Sequence, residues 1–183
     1  MKNVTPKEFI ESLFIQELGA IVSTSPYLSF MIISIGIEFL GKCLETDQKD
    51  WHQRNESKKN FVKALNDLPS LNNYLNYHAE FNFYDGLRSG LLHAAIPTGK
   101  ITLSSRDELG HLQQSTNESI NLKIEDFYKD FKEACEHIIS MSFGPDDKMS
   151  NAILVVPGID FKSISGVSFG VTSSLGNASG SVL

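Results

Sequence analysis

Cysteine is scarce in this sequence, and so is any arrangement of it that redox or metal chemistry uses. The 183 residues hold two cysteines, Cys43 and Cys135. They are too far apart for a CxxC pair or a zinc ribbon, and two reduced thiols fit a reducing, cytoplasmic setting. Basic charge is in deficit. Sixteen Lys and Arg against 22 Asp and Glu leave a formal charge of −6, which argues against a dedicated duplex-DNA binder, whose footprint is basic. An enzyme that touches a few phosphates stays open. Long hydrophobic runs are lacking as well: the most apolar stretch, 27–40, contains Glu38 and falls short of the roughly 20 residues of a membrane span. No membrane partner is expected. The N-terminus, Met1-Lys2-Asn3-Val4-Thr5-Pro6-Lys7-Glu8, leads into a helix and not into the apolar core of a secretory leader. His52, His78, His111 and His137 share no metal-ligand spacing with one another or with a cysteine. Asp146-Asp147 lacks the calcium-loop pattern. Walker loops, dinucleotide fingerprints and nucleophile elbows are also missing, so neither metal nor cofactor is expected.

What remains is an ordinary folding composition, 41% hydrophobic and 21% charged, in a chain long enough to bury one core without staples. Thr5-Pro6-Lys7-Glu8 is a capping box with proline at the first helical position. Phe9, Ile10, Leu13, Phe14 and Leu18 follow at helical spacing, and Gly19 with Ser23-Thr24-Ser25 ends the helix. Ser25 as N-cap and Pro26 at N1 open a second helix. It is apolar on nearly every side over 27–44, which predicts a central helix buried all round. The polar stretch 45–57 reads as a loop or short helix end. A third helix over 57–68 carries Phe61, Leu65 and Leu68 and stops at Pro69; 71–77 reads as a connector. A fourth spans about 78–95, with Phe81, Tyr84, Leu87, Leu91 and Leu92, before Pro97 and Gly99. The alternating runs 101–104 and 119–124 suggest a small β-hairpin inserted over about 100–124. A last helix over 125–142 turns Phe127, Phe131, Cys135, Ile138 and Ile139 inward. The expected fold is therefore all-α: a bundle of four or five helices over 1–143 with a β-hairpin insertion, then an extended tail over 144–183. Residues 163–183 contain no charged residue but carry Val167, Phe169, Val171 and Leu175 among Ser and Gly. They fit either a disordered tail or an arm that adds a strand to a protein partner.

The segment that carries chemistry is Phe83-Tyr84-Asp85-Gly86-Leu87-Arg88-Ser89-Gly90-Leu91-Leu92-His93-Ala94-Ala95-Ile96-Pro97. Arg88, four residues and His93 close a helix. This pattern, with polar Ser89 directly after the arginine, resembles the signature of the HEPN superfamily, small helical bundles of nucleotide-binding and ribonuclease proteins. The phrase from Tyr84 to His93, followed by a strand pair and a helix beginning Ile124-Glu125-Asp126-Phe127-Tyr128, is similar to HEPN-like proteins of bacteria. The resemblance covers about 25–143 and not the tail. It implies a homodimer whose two motifs face each other in a composite site. It also implies a metal-independent endoribonuclease of a toxin–antitoxin, stress or defence type, or else a non-catalytic relative that binds a nucleotide or a protein. In the ribonuclease, the ribose 2′-hydroxyl attacks the adjacent phosphate. A histidine moves the proton, and an arginine holds phosphate oxygens as charge develops. Arg88 and His93 would take these roles, supported by Tyr84, Asp85, Ser89 and Glu38.

Geometry sets a condition on this reading. Residues five apart on an α-helix point about 140° away from one another. Arg88 and His93 converge only if the helix end loosens, which Gly90 and Pro97 permit, or if a second subunit contributes. The plainer alternatives are an Asp85–Arg88 pair at i,i+3 and a His93 that only favours the helix C-terminus. Glu38 either reaches Arg88 or His93 across the bundle or pairs locally with Lys42. The basic run from Arg54 to Lys63, beside Trp51-His52 and including Lys58 and Lys59, either guides an RNA backbone or is a solvated helix face.

Overall fold

A computed structural model describes residues 3–45, 51, 55–105, 110–150 and 153–154. The chain is mostly helical, in agreement with the all-α reading. The first helical run passes from α1 (Pro6–Phe9) through a π-helical stretch, π1 (Ile10–Glu17), into α2 (Leu18–Ile21). The capping box forms at its start: the Glu8 N–H donates to Thr5 Oγ1 at 3.2 Å, and the Thr5 N–H donates to Glu8 Oε2 at 2.8 Å. Thr5→Ala is expected to cost about 1 kcal/mol, read as a shift of the urea midpoint at unchanged slope. The Ile15 carbonyl in π1 accepts from the Tyr128 hydroxyl at 2.8 Å, a side-chain contact at the point where the backbone bonding departs from the α pattern. Lys7 Nζ reaches across to the carbonyls of Ile139 and Met141, both at 2.6 Å. It thereby tethers the first helix to the end of the last.

α3 (Pro26–Cys43) follows. Pro26 sits at its first position as expected, but Ser25 makes no side-chain cap bond. One side of α3, with Phe30, Ile33, Ile37 and Leu40, is fully buried against α4 (Ser57–Asp67) and α6 (Ile124–Ser140). The expectation of burial all round does not hold: Tyr27, Leu28 and Ile35 are 40–48% exposed. By length and a mean hydropathy of 1.3, α3 could cross a membrane, yet half of it is buried inside the body, as in the core helix of a bundle. The crossing of α3 over α4 is very close. A Cβ built on Gly41 would lie 1.7 Å from the Asn60 carbonyl oxygen.

After a 3₁₀ turn at Pro69–Leu71 comes α5 (Asn72–Phe81), where the sequence suggested a connector. The expected single helix over 78–95 is broken. Asn82 takes a left-handed conformation, φ 45°, and ends α5, the role asparagine fills when glycine does not. A second π-helical stretch, π2 (Tyr84–Ala94), follows. Asn82 also starts π2, accepting from the Asp85 N–H at 3.3 Å and donating to Asp85 Oδ2 at 2.6 Å.

The expected hairpin is corrected too. β2 (Ile101–Ser104) and β3 (Ile120–Lys123) run parallel, with Ile101 opposite Ile120 and Ser104 opposite Lys123. Alternation marks a strand but not its direction, and the connection over 105–119 is long enough for the crossover that parallel pairing needs. Asn121, fully buried in β3, satisfies its amide on Ser104 Oγ at 2.9 Å and on the Gly110 carbonyl at 3.1 Å. The body also continues past 143. Lys148 and Met149 are buried, and β4 (Ile153–Leu154) pairs antiparallel with β1 (Asn3–Val4). The remainder of the tail, 155–183, lies outside the described residues.

Candidate functional site

π2 carries Tyr84, Asp85, Arg88, Ser89 and His93. Its backbone is held from one side by the returning chain. The Thr98 N–H donates to the Gly86 carbonyl at 2.7 Å, and the Ile96 N–H donates to the Gly90 carbonyl at 3.3 Å. Both glycines are required for that approach. A Cβ at Gly86 would meet the Thr98 carbonyl, and one at Gly90 the Ile96 carbonyl, each at 2.8 Å. The π geometry answers the condition set by the spacing. With i→i+5 bonding, residues five apart lie within roughly 50° of one another along the axis. An ideal winding of this kind sets residues five apart, such as Arg88 and His93, nearer a common side than an α-helix does.

Their surroundings differ. The Arg88 side chain is 13% exposed, and its Nη2 lies 2.6 Å from Glu38 Oε2 on α3, whose side chain is 18% exposed. Of the partners open to Glu38 (Arg88 or His93 across the bundle, or Lys42 nearby), the structure selects Arg88. The contact is not bidentate: Arg88 Nε and Glu38 Oε2, both buried, make no well-aligned hydrogen bond among the described residues. The guanidinium also sits 5.5 Å from the Tyr84 ring centre. Asp85 does not pair with Arg88. It pairs with Lys58 on α4 at 3.0 Å, and Lys58, then Asn82, hold its carboxyl below the usual carboxylate range. Ser89 is half-buried beside Arg88.

His93 is exposed near the end of π2. Leu92 and Ile96, 41% and 63% exposed, flank it in sequence. The Tyr27 hydroxyl donates to the Ala95 carbonyl. That bond ties the start of α3, with exposed Tyr27 and Leu28, to the end of π2. Exposed apolar side chains thus stand on both of the elements that this bond joins, with His93 on one of them. Among the described residues no hydrogen bond or ion pair joins His93 to Arg88. Two pockets in the body, one lined by Pro69, Ser70, Glu133 and His137 and an apolar one including Tyr74, Phe83 and Leu87, include neither residue.

The lysines of the basic run are paired in place. Lys58 pairs with Asp85, Lys59 with Glu45 and Glu56 at 3.3 and 3.2 Å, and Lys63 with Asp67 at 3.0 Å. This favours the solvated-face reading. His52 and Arg54 lie outside the described residues. No cluster of three or more His, Cys, Asp or Glu able to hold a metal occurs among the described residues. Burial pushes the thiols of Cys43 and Cys135 well above their ordinary range, which makes them poor nucleophiles.

One cluster escaped the sequence reading. Tyr74 on α5, Asp130 on α6 and His111 in the β2–β3 connection form a chain of hydrogen bonds. Its members are 37 and 56 positions apart, so no local spacing could signal it. No family model matches the chain, and no curated protein or solved structure matches it.

Proposed function

We propose that the protein is a HEPN-like, metal-independent endoribonuclease whose site is completed by a second copy of the chain. The observation that supports this reading is the π-helical stretch, a winding that turns residues five apart toward one side, with His93 exposed near its end beside exposed Leu92. A surface of Tyr27, Leu28, Leu92 and Ile96 is costly in water and fits self-association. Across such an interface, His93 of each chain would stand near the motif of the other. His93 would accept the proton of an RNA 2′-hydroxyl as its oxygen attacks the adjacent phosphorus. It would then return a proton to the departing 5′-oxygen, leaving a 2′,3′-cyclic phosphate. Arg88 would offset the charge on the phosphoryl oxygens. Its buried Nε, without an aligned acceptor, is a donor that a phosphate oxygen could take after a shift of the side chain.

A second reading rests on the Glu38–Arg88 contact. An arginine already matched to a carboxylate, in a chain of net charge −6, suits a non-catalytic dimer that binds a nucleotide or a protein, since generic attraction for RNA is weak. Incubation of RNA with the full chain in EDTA separates the two. The nuclease reading expects cyclic-phosphate ends from the wild type and a loss of at least about 100-fold in His93→Ala and Arg88→Ala. Intact RNA across a broad substrate set, together with a nucleotide-dependent rise in melting temperature, sinks that reading and supports the second.

A further inference from the structure

His111 is held at both ring nitrogens. Its Nδ1 accepts the Lys123 backbone N–H at 3.0 Å. Nε2 therefore carries the proton of the neutral ring, and it meets the Tyr74 hydroxyl at 2.6 Å. The Tyr74 hydroxyl in turn donates to Asp130 Oδ2 at 2.7 Å. Every donor in this chain has one acceptor, so the arrangement admits only one protonation state of His111. The ring packs on Tyr74 and Phe127, with centroids 5.6 and 6.4 Å away, and the His111 side chain is 12% exposed. The connection that bears it is otherwise fastened by main-chain bonds, Leu112 N–H to the Asn121 carbonyl at 2.8 Å and Asn121 N–H to the Gln113 carbonyl at 2.9 Å.

We propose that His111 is an acid-opened latch: protonation places a hydrogen on Nδ1 against the Lys123 N–H and releases the 110–115 segment from the helical body. An imidazolium has two donors and no acceptor, so the Lys123 contact turns from a bond into two opposed N–H groups. The latch stands directly behind the motif. Tyr74 packs edge-on to Phe83, 6.1 Å between centroids, and Phe83 is the residue from which π2 starts. β2, paired to β3, also places Ile101 against Gly86. Opening the latch thus loosens the packing against the start of π2, at Phe83 and Gly86. The latch itself does not depend on what those residues do.

The titratable groups that face His111 are Tyr74 from α5, Asp126 and Asp130 from α6, and Lys123 from β3. Burial, the largest influence, lowers the His111 pKa from 6.5; Asp130 and Asp126 oppose it and Lys123 adds to it. The unfolded chain therefore binds the proton more readily. The stability that neutral His111 contributes is complete above about 6.5 and is lost as pH falls through its lower folded value. Asp130, raised from 3.8 chiefly by burial, acts with the opposite sign. His78 is lowered from 6.5 by its own burial, so global stability alone cannot isolate the latch and a local probe is needed.

The test is amide hydrogen exchange of the full chain by NMR between pH 7.5 and 5, with the His111 ring titrated in the same samples. Protection of the Lys123 amide is expected to fall as pH drops from about 6.5 to the His111 midpoint, by up to roughly tenfold per pH unit, and to level off below it; the Leu112 and Asn121 amides should follow. In His111→Asn, which keeps an acceptor and takes no proton, protection should stay level over this range. Unchanged Lys123 protection while His111 titrates overturns the latch, as does an equal acid loss in His111→Asn. Should that variant not fold, levelling of the wild-type protection at the His111 midpoint decides, and levelling elsewhere refutes the proposal.

Discussion

Gly41→Ala is expected to destabilise the protein by about 4 kcal/mol or more, although alanine is the better helix former by about 1 kcal/mol. The new methyl carbon would lie 1.7 Å from the Asn60 carbonyl oxygen, 2.6 Å from its carbonyl carbon and 3.1 Å from the Ala64 nitrogen. All three are backbone atoms of α4, so no side chain can swing away. The helices must separate, and the buried residues on either side of the crossing, Leu40, Cys43, Phe61 and Leu65, lose contact with one another. For a chain of this size the loss corresponds to a fall in melting temperature of about 8–16 °C, measured by circular dichroism or calorimetry. A Gly41→Ala protein as stable as the wild type would mean that α3 and α4 do not approach so closely, and the bundle described above would be wrong at its centre.

Glu38→Ala is expected to cost about 2–3 kcal/mol, somewhat under the loss for a fully buried pair because both side chains keep some exposure. The loss comes mainly from Arg88, left as a poorly solvated charge beside Tyr84. It follows that Glu38→Ala/Arg88→Ala should be less destabilised than the sum of the single variants, with a coupling of about 1–2 kcal/mol in a double-mutant cycle from urea denaturation. Strict additivity would show that the ion pair contributes nothing specific. Under the nuclease reading the same variant should lower cleavage at least about tenfold, because Arg88 loses the group that fixes its position. Cleavage that stays at the wild-type level while stability falls would assign Glu38 a purely structural role.

The candidate site was legible in part. Arg88 and His93 stood out by residue type and spacing, and Glu38 by being a carboxylate in an apolar helix, which needs a partner. The partner's identity was not readable: Lys42 nearby and Arg88 or His93 across the bundle were equally available until α3 and π2 were set side by side. Asp85 shows the reverse. Its i,i+3 neighbour Arg88 was the obvious local choice, yet Lys58, 27 residues away, takes it.

Local chemistry determined much of the secondary structure. The capping box at Thr5, the proline starts at Pro6 and Pro26, the inward faces of α4 and α6 and the strand character of 101–104 and 120–123 all follow from side chains a few residues apart, and the structure carries each of them. Four features were settled only by packing between distant segments. They are the left-handed break at Asn82, the π winding of 84–94 under the returning 96–98 segment, the parallel direction of β2 and β3, and the exposed stripe of Tyr27, Leu28 and Ile35. Each depends on which backbone groups and surfaces lie opposite. Hydrophobic period and capping report a residue's own neighbourhood, whereas hydrogen-bond partners and close approaches from other elements decide how that neighbourhood is wound and which of its faces is covered.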